Sequence, residues 1–247
     1  MKTFQHSASA AMAQTRKTEI LPMPYRHEIK YEVSIDVATR LRHAAVAFLH
    51  ADAHAAADGS YFIKSLYFDT PFHSDYTDTE LGVKQRRKIR LRTYGDAGEI
   101  YHLEVKHKVG EVAKKYSCTL TKAQAQRVAQ GDYSEILTLP DEYAPAIYQV
   151  MVSECYRPVF VVSYLRYAFC EQAGEFRLTF DEQMSYSPNP DMLFAPLLPM
   201  GYLSKDVVIE VKYDEFVPRW VTEFLVSNKL TASSHSKYGK AFVHVFD

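Results

Sequence analysis

The run Lys88-Ile89-Arg90-Leu91-Arg92 places a cation at every second position. In an extended strand that spacing puts all of them on one face. Arginine's planar fork binds phosphate bidentately, so Arg90 and Arg92 aim two forks at one polyanion. The same alternation recurs. Glu28, Lys30 and Glu32 oppose Ile29, Tyr31 and Val33, and Glu104, Lys106 and Lys108 oppose Leu103 and Val105. Glu210 and Lys212 oppose Ile209 and Val211, and Arg177, Thr179 and Asp181 oppose Phe176, Leu178 and Phe180. The carboxylates have a use of their own. Glu28, Glu104 and Glu210 could hold Mg²⁺ or Mn²⁺, which prefer oxygen ligands and bridge phosphate oxygens. No His/Cys spacing suggests zinc, and neither a GxxxxGK[ST] loop nor a GxGxxG turn offers a backbone cradle for phosphate. Phosphate chemistry here would rest on side-chain cations.

Those residues need strands to carry them. Strand patterns cover Arg26–Val33, Tyr61–Asp69, Arg86–Tyr94, Ile100–Lys108, Val112–Leu120, Pro158–Tyr167, Glu175–Asp181 and Val207–Tyr213. Gly95-Asp96-Ala97-Gly98, Val109-Gly110-Glu111 and Gly174 read as turns. Helices fill the gaps. Ser34 caps one through about His50, Thr121-Lys122-Ala123-Gln124 is a capping box, Asp141 to about Cys155 is a third, and Pro218 opens a fourth to about Lys229. The prolines at 188, 190, 196 and 199 mark an irregular loop.

For any one strand, a solvated charged face is the simpler reading. Across five strands the cations accumulate, and the amphipathic helices need apolar strand faces to pack on. The economical arrangement is an α+β fold: a closed eight-stranded antiparallel β tunnel, apolar faces outward under peripheral helices, charged faces inward. Closure removes sheet edges, and a lumen rich in cations requires a counter-anion.

The bulk numbers fit one domain. The chain has 247 residues, 47% apolar and 24% charged, with a formal net charge of -1. That charge gives no sign of nucleic-acid affinity, and the aromatic residues alternate onto apolar faces rather than among the cations. Three scattered cysteines fit a reduced, cytoplasmic setting. Residues 1–24 read as a disordered lead-in and 25–247 as a single domain.

The segments Glu28-Ile-Lys30-Tyr, Ser65-Leu-Tyr-Phe-Asp69-Thr, Lys88-Ile-Arg90-Leu-Arg92-Thr-Tyr-Gly95, Leu103-Glu104-Val-Lys106 and Val208-Ile-Glu210-Val-Lys212 occur in that order. Together they resemble the VTC domain of polyphosphate polymerases. That domain belongs to the triphosphate tunnel metalloenzymes, with the CYTH triphosphatases and a class of adenylate cyclases. The resemblance covers about Arg26 to Phe246. It implies phosphate binding by Lys30, Lys88, Arg90, Arg92, Lys106 and Lys212, and by Lys114 or Lys115. Lys115 is preferred because it shares a face with Ser117 and Thr119. Arg166 and Arg177 resemble later tunnel arginines, Glu210 a metal ligand, and Ser236-Lys237-Tyr238 a segment whose lysine is linked to catalysis. Arg92, Glu210 and Lys237 are the expected catalytic set. Where the superfamily's first strand carries its first glutamate, this chain has Arg26, which weakens the hydrolase and cyclase readings. The implied activity is transfer of a phosphoryl group from ATP to a growing polyphosphate, with Mn²⁺ or Mg²⁺. The alternatives are a metal-dependent triphosphatase and a non-catalytic polyphosphate-binding module. No SPX-like segment accompanies the domain, which implies a stand-alone bacterial form. Relatives work beside a membrane domain, so a membrane-protein partner is a further expectation.

Overall fold

A computed structural model describes residues 27–53, 55–95, 98–110, 112–171, 176–196, 201–234 and 236–246. The lead-in 1–24, Arg26, the Asp96-Ala97 turn, Glu111, Gly174 and Pro199 lie outside them. Chain order begins with strand β1 (His27–Val33), helix α1 (Ile35–Phe48), β2 (His50–Ala51), β3 (Ser60–Asp69) and α2 (Ser74–Glu80). The meander β4 (Gln85–Tyr94), β5 (Ile100–Val109) and β6 (Val112–Thr121) leads into α3 (Lys122–Ala129) and α4 (Ala144–Ser153). Then come β7 (Arg157–Cys170), β8 (Phe176–Ser187), β9 (Gly201–Ser204), β10 (Val207–Tyr213), α5 (Arg219–Ser227) and α6 (Lys237–Phe246). Short 3-10 turns occupy Tyr133–Thr138 and Pro190–Leu193.

The strands pair in the order β1-β10-β8-β7-β3-β4-β5-β6, with β2 added to β7 and β9 to β8. Every pairing is antiparallel. The expected closure does not occur. β1 and β6 are the two ends of the path, and the eight strands curl through 187° into a half-barrel. Its open side is managed by charge rather than by backbone pairing, since polar and charged residues alternate along the concave side of both end strands.

Alternation places the apolar faces as expected on both flanks. Leu66, Ile89, Leu91 and Leu103 are buried under Val128 of α3 and Ile147 and Met151 of α4. Leu178, Phe180, Ile209 and Val211 pack against Leu41 and Ala45 of α1 and Val221 of α5. Burial of each such large side chain is worth roughly 1.5–3 kcal/mol. The capping box at α3 is present: the Thr121 amide donates to Gln124 Oε1 at 3.0 Å, and the Gln124 amide donates to Thr121 Oγ1 at 3.4 Å. Helix α1 stops before His50, which joins β2, and Ser34 makes no side-chain cap. Helix α4 starts at Ala144 rather than Asp141.

The middle of the sheet departs from the expected pattern. Tyr61, Ile63 and Tyr67 of β3 and Phe160, Val162 and Tyr164 of β7 form a third apolar cluster with Tyr238, Ala241 and Phe242 of α6. They share the concave face with Arg90 and Arg92, as the β3–β4 register requires. Helix α6 therefore sits inside the curl. Strand β8 continues past Asp181 because Gln183, at φ 53°, forms a bulge that resets the alternation.

Asp69 connects these parts. Its carboxylate accepts from the amides of Thr70, Asp75 and Tyr76 at 2.7, 3.0 and 3.1 Å and from the Tyr238 hydroxyl. One side chain at the end of β3 thus organises the first turn of α2 and anchors α6.

Candidate functional site

The concave face holds a cavity of about 480 Å³. Its lining includes Glu28 and Lys30 from β1, Lys88, Arg90 and Arg92 from β4, Lys106 from β5, Arg166 from β7, Glu210 and Lys212 from β10, and Lys237 from α6. Residues far apart in sequence converge because each occupies the inward parity of its strand. Ser236, at the start of α6, accepts a hydrogen bond from the Gly239 amide at 3.2 Å, and this orients Lys237 into the curl.

The charges fall into three groups. In the first, Lys30 pairs with Glu28 at 3.0 Å and with Glu210 at 3.5 Å, while Lys212 pairs with Glu210 at 2.9 Å and with Glu28 at 3.7 Å. Lys106 reaches Glu28 at 3.5 Å. Burial works to raise the Glu210 carboxyl, but Lys212, Lys30, Arg166 and Lys237 hold it well below the usual carboxylate range. In the second, Glu104 is buried and engaged by Arg90 at 2.7 Å, by Arg92 at 3.7 Å and by Lys115. Burial opposes its ionisation, yet these cations hold its carboxyl at about 2. In the third, the buried Asp181 receives both arms of Arg166 at 2.6 and 2.7 Å, and Lys237 at 2.6 Å. Burial again opposes ionisation, and Arg166 and Lys237 hold Asp181 at about 2.

Lys88 is different. Its ammonium donates to the Ser236 hydroxyl at 2.9 Å and lies 5.5 Å from the centre of the Tyr238 ring. Burial, with Lys30, Lys106 and Arg90 close by, pushes it down to about 8.

Most of the residues singled out in the sequence are brought together, but three stand apart. Arg177 does not line the cavity; it is tied to Asp52 at 2.6 Å and to the Tyr61 hydroxyl at 3.3 Å. Lys115 lies on the inward face of the end strand, outside the cavity lining, with its ammonium on Glu104. Glu104 serves as the counter-ion of its own arginines, so it does not join Glu28 and Glu210 as a third oxygen donor. Among the described residues no group of three or more His, Cys, Asp or Glu gathers as a metal centre. Glu28 and Glu210 do share Lys30 and Lys212, and both carboxyls lie below their ordinary range. Two ionised carboxylates beside phosphate-binding cations fit Mg²⁺ or Mn²⁺, which are commonly held by one or two carboxylates and the substrate's phosphates.

Sequence reasoning missed Asp181 as the anchor of Arg166 and Lys237, although its parity on β8 placed it on the inward face. It also missed Arg86 and Lys108, which line the cavity and continue the parity of Lys88 and Lys106. Tyr67, Tyr164 and Tyr238 line it as well, on a part of the concave face that carries no alternating charge to signal it.

The VTC domain family's sequence model matches residues 25–246. No curated protein matches the chain. A candidate adenylate cyclase from Bacillus halodurans, 14% identical, shares the fold with a TM-score of 0.51, covering 87% of this chain and 94% of that one. A candidate adenylate cyclase from Vibrio parahaemolyticus has 16% identity and a TM-score of 0.45, covering 88% of this chain and 97% of that one. Among the described residues no helix is long and apolar enough to cross a membrane.

Proposed function

Because the chain belongs to the VTC domain family, we propose that it is an ATP-dependent polyphosphate polymerase working in the concave cavity. The observation that carries this reading is the convergence of Lys30, Arg90, Arg92, Lys106, Arg166, Lys212 and Lys237 on one cavity. Each of these cations has a carboxylate partner: Lys30, Lys106 and Lys212 have Glu28 or Glu210, Arg90 and Arg92 have Glu104, and Arg166 and Lys237 have Asp181, so the cations are held in place before a ligand arrives.

Phosphoryl transfer depends on positioning and charge neutralisation more than on covalent chemistry. Arg90 and Arg92, braced by Glu104, present their guanidinium forks to the nucleotide's phosphates. Lys30, Lys106 and Lys212 turn from Glu28 and Glu210 toward the same oxygens. Glu28 and Glu210 would hold Mg²⁺ or Mn²⁺, which would supply Lewis-acid neutralisation of the charge developing on the phosphates. The terminal phosphoryl group passes to a terminal oxygen of the growing chain, and ADP leaves. That acceptor oxygen is already ionised, so no side chain need remove a proton. Lys237, held by Asp181, stands ready to neutralise charge as the bond to ADP breaks. Arg177 has no part in this scheme, being engaged by Asp52 outside the cavity. The same reading carries the expectation of a cytoplasmic setting and of a membrane-protein partner that receives the product.

Incubation of purified protein with ATP and Mn²⁺ or Mg²⁺ tests the reading. Long chains with matching ADP are expected on a polyphosphate-stained gel. Free phosphate without chains would instead make the protein a triphosphatase, and neither product would leave a binding module.

A further inference from the structure

The β4–β5 ladder sets cation opposite cation twice: Arg86 faces Lys108, and Lys88 faces Lys106. Like charges directly opposed across a ladder are destabilising, so such a row calls for an anion. Lys106 has Glu28. Among the described residues, Arg86, Lys88 and Lys108 have no carboxylate partner, and Lys88 is held by two neutral groups, the Ser236 hydroxyl and the Tyr238 ring. All of them line the same cavity. The remaining cations that line the cavity are each paired with a carboxylate: Arg87 with Glu154, and the others with Glu28, Glu104, Asp181 or Glu210. Cations without an ion-paired carboxylate are thus confined to one end of the cavity, beside the start of α6, where Glu80 also lines the wall but forms an ion pair with none of the three.

The row is also long. From Arg92 to Arg86 is six residues along β4, about 20 Å at roughly 3.3 Å per residue. That reach extends beyond the cluster proposed to hold the nucleotide's phosphates.

We infer that Arg86, Lys88 and Lys108 form a second anion subsite, separate from the carboxylate-buffered cluster, which holds the body of a linear polyphosphate chain. The inference rests on the polymerase reading and adds to it the direction in which the chain lies. The unbuffered cations carry the chain away from Arg90 and Arg92 toward the Arg86–Lys108 end. A slim polyanion without bases suits a cavity of this size.

The test compares the full chain with an Arg86→Gln/Lys108→Gln double variant, measuring binding of tripolyphosphate and of long-chain polyphosphate by titration calorimetry at several salt concentrations. The double variant is expected to bind long chains about tenfold more weakly, with roughly one fewer counterion released per cation removed. Tripolyphosphate affinity is expected to stay within about twofold, since each displaced contact is a charge-assisted hydrogen bond outside its footprint. Because the substitution removes mutually repelling charges, its thermal midpoint should not fall, which separates a binding loss from a folding loss. Equal weakening for both ligands, or no weakening for either, would overturn the subsite. Single-stranded RNA binding as tightly as polyphosphate, and losing as much in the variant, would overturn the ligand class. Failure of the unaltered protein to bind either phosphate ligand would instead sink the polymerase reading itself.

Discussion

Glu28 on β1 and Lys106 on β5 meet at 3.5 Å across the open side of the half-barrel. In the pairing order these strands stand near opposite ends of the sheet, so only the curl brings them together. Glu28 also engages Lys30 and Lys212. It occupies, within the protein, the place a phosphate would take among three lysines.

Glu28→Gln should therefore bind tripolyphosphate more tightly in the presence of a chelator. Partly exposed ion pairs are individually modest, so the gain is expected to be roughly threefold to tenfold by calorimetry. Turnover with Mn²⁺ should fall in the same variant, because one carboxylate oxygen donor is lost. Weaker metal-free binding would show that Glu28 does not compete with the ligand.

Arg92→Ala and Glu210→Gln should each lower polyphosphate synthesis at least about a hundredfold, the scale for loss of one preorganised charge at a reacting group. Both should remain folded. Glu104 keeps Arg90 and Lys115 after the first change, and Lys30 and Lys212 keep Glu28 after the second. Normal synthesis by both variants would remove the proposed mechanism.

The pH dependence of Lys88 has opposite signs for binding and for folding. Its value of about 8 lies below the ordinary 10.5. Between those values the unfolded chain holds the extra proton, so ligand-free stability should rise with pH in that window. Tripolyphosphate binding should weaken over the same window as the ammonium is lost. Lys88→Met should flatten both curves, measured by thermal unfolding and by titration.

Asp75 offers a test outside the cavity. Burial, with Asp69 nearby, pushes its carboxyl up to about 7 from 3.8, and the Tyr156 hydroxyl donates to it at 2.9 Å. A raised folded value means the contribution to stability is fully present below the ordinary value and is lost as pH rises through about 7. Asp75→Asn mimics the protonated acid and keeps an acceptor for Tyr156. It should remove this part of the decline and leave the protein more stable than the unaltered chain at pH 8.

Much of this was legible in the sequence because period-two alternation states both that a segment is a strand and which side chains share a face. Lys88, Arg90 and Arg92 could be assigned to one surface before any fold was known, and the outward burial of Ile89 and Leu91 follows from the same pattern. Alternation is silent on other matters. It does not say whether an eight-strand path closes, since closure depends on accumulated twist and curl rather than on any residue. Nor does it say which carboxylate meets which cation: Glu104 looked like a ligand until the register set it opposite Arg90. Helix α6 could have been read from Tyr238, Ala241, Phe242 and Val245, whose spacing is helical. The resemblance around Ser236-Lys237-Tyr238 drew attention to a lysine instead of to the helix carrying it. Helix α2 had no such signal, because its seven residues are mostly polar and it is organised by Asp69 from the preceding strand.

On the polymerase reading, the open flank between β1 and β6 changes how a polymer would be handled. A sealed tube accepts a chain only by threading one of its ends. A trough whose flank is bridged by side chains such as Glu28 and Lys106, and not by backbone pairing, can also take a chain laid in sideways when those side chains part, and let it lift out the same way. Cyclic phosphates, which have no end to thread, would fit a trough and be refused by a tube.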